Sequence, residues 1–272
     1  MSRSIELKEE GNRHFQAGDF VGAESLYSKA IIVDPKNPAL YTNRAMARLK
    51  LAYWDSVITD CEAVLELPSG ATNIKAHYYL SQAQLALGSP AAALPHALKA
   101  HELCAAANDK SLAAVTAVVL RCKKEKWEQE DRLRIREEQA LEREMLALLQ
   151  KELDSDVAAE EDEMEKSALR EEGAAKKARL EAMFERARSK AEQRREVPDW
   201  LIDDISFGVM VDPVITKTGK SYERASITEH LRRHPSDPLT REPLTMEDLR
   251  PNMALRNACE EFLEENGWAV DW

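Results

Sequence analysis

The chain has 272 residues, of which 44% are hydrophobic and 32% are charged, and its formal net charge is −11 at pH 7. So large a charged fraction argues against a single compact core for the whole chain. The negative charge argues against binding to nucleic acid or to anionic membranes, since both need a cationic surface.

Four cysteines are scattered along the chain and none forms a CxxC pair, which indicates reduced thiols. The N-terminus carries no basic-then-apolar leader, and the longest nearly apolar stretch, 112–120, is about half the roughly 20 residues of a membrane span. We therefore expect a soluble protein of the cytoplasm, with the nucleus as a second compartment.

Small residues recur at a fixed period in the first 110 residues. They fall into three columns with the same offsets: Gly11, Ala45 and Ser81; Ala23, Val57 and Ala93; Ala30, Val64 and Ala100. Helix-turn-helix repeats pack closely only where side chains are small. The period of about 34 residues resembles the tetratricopeptide repeat (TPR) family over residues 4–107. Three repeats are predicted, with an ordinary antiparallel helical bundle as the alternative.

Polar side chains fall at positions of the repeats that a core would not use. Lys8 and Asn12 lie one turn apart, Asn43 takes the place of Asn12 in the second repeat, and Lys75 opens the third. Lysines and amides that converge can bind a terminal carboxylate through charge-assisted hydrogen bonds. The set resembles the clamp with which TPR co-chaperones hold acidic C-terminal tails of heat-shock chaperones of the seventy- and ninety-kilodalton classes.

Two aromatic residues follow the last clamp position. Many clamps carry a second basic residue one turn after the position of Lys75, whereas this chain has Tyr79 there, beside Tyr78. Both rings could form an apolar wall for a bound tail or pack in the core, and both interpretations stay open. In the loop before the seventh helix, where the resemblance implies an acidic residue, Asp109 is the nearest one.

The segment from 111 to 196 is dominated by charge. It contains no proline after residue 121, which favours helix. Two stretches with imperfect apolar stripes flank an acidic run at 154–165, so a helical hairpin that dimerises is the simplest way to bury both. The alternative is a solvated single helix, and the broken pattern argues against a long coiled coil.

Prolines and glycines return in the segment 197–272. The motifs Asp212-Pro213, Asp237-Pro238 and Glu242-Pro243, in this order, resemble a U-box. A RING domain would show eight paired Cys and His ligands, whereas this segment has one cysteine and two histidines. The sequence therefore predicts a domain without metal or cofactor. Its two loops would be held by polar side chains such as Asp212, Ser221, Tyr222, Arg241 and Asn252.

The resemblance also implies a binding surface for a ubiquitin-conjugating enzyme. Arg241 matches the position that favours the reactive form of the thioester between the conjugating enzyme and ubiquitin. Cys259 is predicted to be a core thiol and His230 to be structural, so no nucleophile is expected on this chain. The apolar contacts would come from residues in both loops: Ile205, Phe207, Pro238, Pro243 and Leu244.

The order of the three segments, 1–110, 111–196 and 197–272, resembles the CHIP-like co-chaperone ubiquitin ligases. A mainly α fold is implied, with a three-repeat TPR solenoid, a long charged hairpin and a small α/β U-box. The resemblance implies a homodimeric ligase that ubiquitinates misfolded clients held by a bound chaperone. The alternatives are a non-catalytic TPR co-chaperone and a U-box ligase whose TPR segment binds another ligand.

Overall fold

The computed structural model describes residues 3–68, 70–192 and 196–271. Its N-terminal part is a stack of helices in which each helix packs against the next. Asp19, Asn37 and Asn73 accept hydrogen bonds from backbone N–H groups in the first turns of α2, α3 and α5, which sets where these helices begin. The helices are α1 (Arg3–Gln16), α2 (Phe20–Val33), α3 (Pro38–Lys50), α4 (Trp54–Leu65), α5 (Ile74–Ala86) and α6 (Pro90–Ala107).

The predicted columns of small residues lie where these helices cross. Every member of the three columns is buried, and Gly11 shows why. A Cβ atom at Gly11 would come within 2.7 Å of the Tyr27 ring, so only glycine allows α1 and α2 to approach this closely. The three-repeat stack predicted from the columns is confirmed.

The charged segment folds into two long helices, α7 (Leu112–Ala159) and α8 (Glu163–Glu192). The first turns of α7 belong to the repeat core, since Val115, Val119 and Cys122 are fully buried there. Further along, a Cβ atom at Gly173 of α8 would come within 2.5 Å of the Leu153 side chain on α7. The two helices therefore pack closely as the predicted hairpin.

The C-terminal segment forms a small sheet with two helices. Strand β1 (Pro213–Ile215) lies between β2 (Ser221–Glu223) and β3 (Arg250–Pro251), and both pairings are antiparallel. Helix α9 (Arg224–Arg233) follows β2 directly, and α10 (Met253–Glu265) follows β3. The core between sheet and helices consists of Val214, Tyr222, Ile227, Leu231, Leu244 and Leu249.

The described residues up to Trp127 and from Pro198 onward form one compact unit, and Glu128–Val197 form a second. Within the first unit, Trp127 of α7 donates a hydrogen bond from Nε1 to the carbonyl oxygen of Glu265 at 2.9 Å, and its ring lies against Gly267. The predicted fold class is confirmed. No helix in the described ranges combines the length and the apolar composition of a membrane span.

Candidate functional site

Two asparagines of the predicted clamp are in contact. Asn43 Nδ2 donates a hydrogen bond to Asn12 Oδ1 at 3.2 Å, and the Tyr27 hydroxyl donates to the same oxygen at 2.8 Å. Both acceptor positions of that oxygen are thereby occupied. The Asn12 side-chain nitrogen donates no hydrogen bond to any described residue, so its N–H groups are available to an external carboxylate.

The two predicted lysines lie in the N-terminal halves of α1 and α5. Lys8 is half-buried one turn before Asn12, and Lys75 is exposed at the start of α5. In the parts of the chain that the structure describes, neither ammonium forms an ion pair, and Lys75 donates no hydrogen bond to either asparagine. Lys75 lies instead near Asp109, whose pKa is lowered by hydrogen bonds from Ser111 and also by Arg232 and Lys75.

Tyr78 and Tyr79 are both half-buried, and their ring centroids are 5.8 Å apart. Tyr79 packs on the core of the second and third repeats, and Tyr78 packs on the cluster that contains Cys104 and Leu112. Burial raises the pKa of both hydroxyls. Each ring therefore contributes to core packing and keeps one exposed part that could form a wall of the groove.

The first U-box loop is organised by a fully buried carboxylate. Asp203 accepts two hydrogen bonds from Ser206, from its backbone N–H at 2.8 Å and from its hydroxyl at 2.7 Å. It also accepts hydrogen bonds from the Glu223 N–H at 2.9 Å and from the Ser226 hydroxyl at 2.7 Å. The loop closes when the Phe207 N–H donates to the Asp203 carbonyl at 2.8 Å. Phe207 has a φ of +56° and a side chain that is 74% exposed.

The second loop repeats this construction around Asp237. Its buried carboxylate accepts hydrogen bonds from the N–H groups of Leu239 and Thr240 at 2.9 and 3.0 Å and from the hydroxyls of Thr218 and Tyr222 at 2.9 and 3.3 Å. These bonds lower the pKa of the Asp237 carboxyl, although burial acts in the opposite direction. The Arg241 N–H donates to the Asp237 carbonyl at 2.9 Å, and Arg241 has a φ of +61°.

The two loops therefore match position by position. In each loop an aspartate is followed four residues later by a residue with positive φ, Phe207 in one and Arg241 in the other. Isolated β-bridges close both loops at the same offsets: Ile202 with Val209, and Ser236 with Pro243. Exposed residues held in such rigid loops can meet a partner with little loss of conformational entropy.

The predicted conjugating-enzyme contacts divide into accessible and inaccessible residues. Phe207, Pro243 and Arg241 are exposed, whereas Ile205 and Pro238 are half-buried. Leu244 is fully buried in the U-box core, so its assignment to the exposed patch is wrong. Side chains alternate between the two sides of an extended segment, and the exposure of Pro243 therefore turns Leu244 inward.

Asp203 and Asp237 were not among the residues predicted to hold the loops. Of the predicted set, Tyr222 contacts Asp237, and Asn252 donates from Nδ2 to the Ser221 hydroxyl at 3.1 Å. Asp212 pairs with Arg224 at 2.6 Å, while the guanidinium of Arg241 makes no hydrogen bond with the described residues. Both aspartates precede a Ser or Thr by three residues, which is the signal that could have identified them.

His230 and Cys259 have the structural roles that the sequence predicted. The His230 ring donates from Nε2 to the carbonyl oxygen of Ser236 at 2.9 Å, at the start of the second loop. Cys259 is buried, and burial raises the pKa of its thiol to about 11. In the described ranges, no group of three or more His, Cys, Asp or Glu side chains is arranged to hold a metal ion.

Comparisons with known proteins identify a family and several relatives of this chain. The U-box domain family matches residues 197–268. The E3 ubiquitin-protein ligase CHIP of Arabidopsis thaliana is 31% identical over 97% of this chain and 94% of its own length. Two solved structures are similar to part of this chain. The TPR2B-domain:pHsp70-complex of yeast Sti1 is 25% identical, covers 45% of this chain and 97% of that chain, and has a TM-score of 0.42. The first TPR of Spaghetti (RPAP3) bound to HSP90 peptide SRMEEVD is 30% identical, covers 42% of this chain and 90% of that chain, and has a TM-score of 0.37.

Proposed function

Because this chain belongs to the CHIP family of E3 ubiquitin-protein ligases, we propose that its TPR groove binds acidic C-terminal tails of heat-shock chaperones while its U-box recruits a ubiquitin-conjugating enzyme. A misfolded client held by the bound chaperone is then brought near the conjugating enzyme. The effective concentration of its lysines rises without any new contact to the client.

The matched loops of the U-box are the observation that carries the ligase mechanism. They present Phe207 and Arg241 on backbones that buried aspartates hold rigid. In the proposed mechanism, the conjugating enzyme packs on Phe207, Ile205 and the loop prolines. Arg241 donates hydrogen bonds toward the conjugating enzyme and ubiquitin and so favours the reactive arrangement of the thioester.

Ubiquitin passes directly from the conjugating enzyme to its acceptor in this proposal. All four cysteines are buried and unpaired, and burial raises the pKa of each thiol to about 11 or 12. A buried, protonated thiol is a poor nucleophile. The unpaired thiols also support the proposed cytoplasmic location, which imaging of the tagged chain in cells would test.

Chain formation with ubiquitin, activating enzyme and a conjugating enzyme tests the ligase mechanism. The wild-type chain is expected to form ubiquitin chains, and Arg241→Ala is expected to slow them about tenfold or more, since one lost hydrogen bond to a developing charge has this order of effect. Arg250→Ala, at an exposed arginine of β3, is the control. Failure of the wild type under conditions in which another U-box ligase works would favour the non-catalytic co-chaperone.

Among the residues that the structure describes, the Asn12 side-chain nitrogen donates no hydrogen bond and the Lys8 ammonium, one turn away, forms no ion pair, and both groups support the tail site. Titration with the peptide SRMEEVD, in its free-carboxylate and amidated forms, tests it. Amidation removes the terminal charge, so binding is expected to weaken sharply. Equal binding of both forms would favour the alternative of a U-box ligase whose TPR segment holds another ligand.

We also propose that the chain is a homodimer that pairs through its helical hairpin. An open groove of about 570 Å³ in the hairpin is lined mainly by apolar side chains of Met145, Leu148, Leu149 and Leu180. Exposed apolar grooves of this kind on a helix surface commonly mark a protein interface. A second copy of the hairpin would cover this groove with side chains of the same character.

A further inference from the structure

One arginine of the U-box reaches the loop between α6 and α7. Arg232 of α9 donates a hydrogen bond from Nη2 to the carbonyl oxygen of Asn108 at 2.7 Å. Asn108 caps the C-terminus of α6 with a φ of +48°. Carbonyl groups at a helix C-terminus carry partial negative charge and attract a guanidinium.

The neighbouring Asp109 lies in the loop between α6 and α7, and Ile74 and Tyr78 of α5 pack with Cys104 and Leu112 on the two sides of this loop. Its Oδ1 accepts a hydrogen bond from the Ser111 N–H at 2.7 Å, which fixes the carboxylate in the loop before α7. The hydrogen bonds from Ser111 lower the pKa of the Asp109 carboxyl most, and the nearby charges of Arg232 and Lys75 lower it further. The charges therefore alternate in sign from Arg232 on α9, through Asp109 in the loop, to Lys75 in the first turn of α5.

An acidic peptide at Lys75 would meet two opposing effects at this place. The Asp109 carboxylate competes for the Lys75 ammonium and repels the acidic ligand. Arg232 offsets that negative charge and adds an attraction of its own. Interactions of this kind between partly exposed groups are modest, and salt screens them over a Debye length of about 10 Å at 0.1 M.

We propose that Arg232 of the U-box is a specificity-determining residue of the peptide groove: by neutralising Asp109 beside Lys75, it increases the affinity of the groove for acidic peptides. The inference rests on the proposed function of the groove. It also means that the U-box contributes to peptide binding in the intact chain.

The neighbouring Arg233 provides a matched control. Both arginines contact Glu229, Arg232 at 3.4 Å and Arg233 at 2.6 Å, but Arg233 makes no contact with the α6–α7 loop among the described residues. Their side chains also differ in exposed fraction, 25% for Arg232 and 71% for Arg233. The replacement of each by glutamine removes the same charge from adjacent positions of α9.

The experiment measures the dissociation constant of SRMEEVD for the full chain at low and high salt. At low salt, Arg232→Gln should weaken binding about two- to fivefold and Arg233→Gln should leave it unchanged. Asp109→Asn keeps an acceptor for the Ser111 N–H and should tighten binding. Arg232→Lys keeps the charge and should restore the wild-type affinity, and in about 0.5 M salt the differences should vanish.

Equal affinities of the wild type, Arg232→Gln and Asp109→Asn at low salt would overturn this inference alone, provided that the wild type discriminates against the amidated peptide. A loss that persists in high salt and is not rescued by Arg232→Lys would also overturn it, since it would indicate only a packing contact. A wild type that binds neither form of the peptide would overturn the proposed function of the groove as well. Circular dichroism and the chain-formation assay verify that each variant is folded.

Discussion

At the scale of single residues, Glu223 is a buried carboxylate whose two oxygens differ in their hydrogen bonds. Its Oε2 accepts hydrogen bonds from the N–H groups of Val211 and Asp212 at 2.7 and 2.9 Å. Its Oε1 is buried with no hydrogen-bond partner among the described residues. Burial raises the pKa of Glu223 to about 7, against the effect of the backbone hydrogen bonds.

This environment predicts how stability depends on pH. Between roughly pH 4.3, where an unfolded glutamate titrates, and about pH 7, the folded chain holds one more proton than the unfolded chain at Glu223. The Glu223 contribution to the free energy of unfolding therefore falls as pH rises through this window, by at most about 1.4 kcal/mol per pH unit. Glu223→Gln keeps an acceptor and cannot titrate, so it should gain stability relative to the wild type toward about pH 8.

Urea unfolding of the two proteins at several values between about pH 5 and about pH 8 measures this difference. The exposed Glu242→Gln is the control, and its stability relative to the wild type should stay constant over the same range. Parallel pH profiles for Glu223→Gln and the wild type would contradict the raised pKa of Glu223.

At the clamp, Lys8→Ala should cost about 1.5–3 kcal/mol of affinity for SRMEEVD, the typical loss for a hydrogen bond to a charged group. Lys8 forms no ion pair in the described parts of the chain, so its removal leaves no charged partner behind. Isothermal titration calorimetry measures the change. Lys36→Ala, at an exposed lysine between α2 and α3, should bind normally, and an equal loss in both variants would contradict a specific role for Lys8.

At the scale of elements, the sequence predicted the burial of residues that recur with a regular period along the chain. It did not predict contacts that depend on how distant segments meet. Ala23, Val57 and Ala93 follow a period that close helix packing imposes, so their burial could be predicted. The hydrogen-bond donors of Asp203 and Asp237 could not be predicted, because a carboxylate accepts hydrogen bonds from whichever groups the folded loops bring near it. Leu244 was predicted to lie on the exposed patch for a related reason. Its neighbour Pro243 is exposed, and the sequence alone does not show which of two successive side chains in an extended segment faces the core.

The hairpin of α7 and α8 gives a prediction at this same scale. Leu148 is 59% exposed and lines the apolar groove that we assign to a second copy of the chain. Leu148→Glu would place a charge inside that interface and should shift the chain toward the monomer in sedimentation equilibrium. Ala147→Glu adds the same charge one residue away, outside the groove lining, and should leave the dimer intact. A wild-type chain that is monomeric at micromolar concentration would contradict the proposed dimer.

At the scale of the whole molecule, the repeats and the U-box form one compact unit, which joins the two proposed binding sites. Val211 packs with the α6 and α7 cluster, and Ala225 joins the cluster of Ala100, Cys104 and Val115. Lys124 of α7 forms an ion pair with Asp271. Two modules that share buried apolar residues are expected to unfold together, in contrast to domains joined only by a linker.

Trp127 provides the test of this cooperativity. Its ring lies against Gly267, where a Cβ atom would come within 3.1 Å of the ring carbon Cδ2, and its Nε1 donates a hydrogen bond to the carbonyl oxygen of Glu265. Trp127→Ala removes both contacts, so in differential scanning calorimetry the U-box should melt separately from the repeats, at a lower temperature than in the wild type. Gly267→Val should have the same effect from the opposite side of the contact. Trp200→Ala removes a tryptophan that packs within the U-box against Phe262, and it should lower stability without separating the transitions. If Trp127→Ala and Gly267→Val both keep one transition, the joint between α7 and the C-terminus of α10 does not couple the two modules.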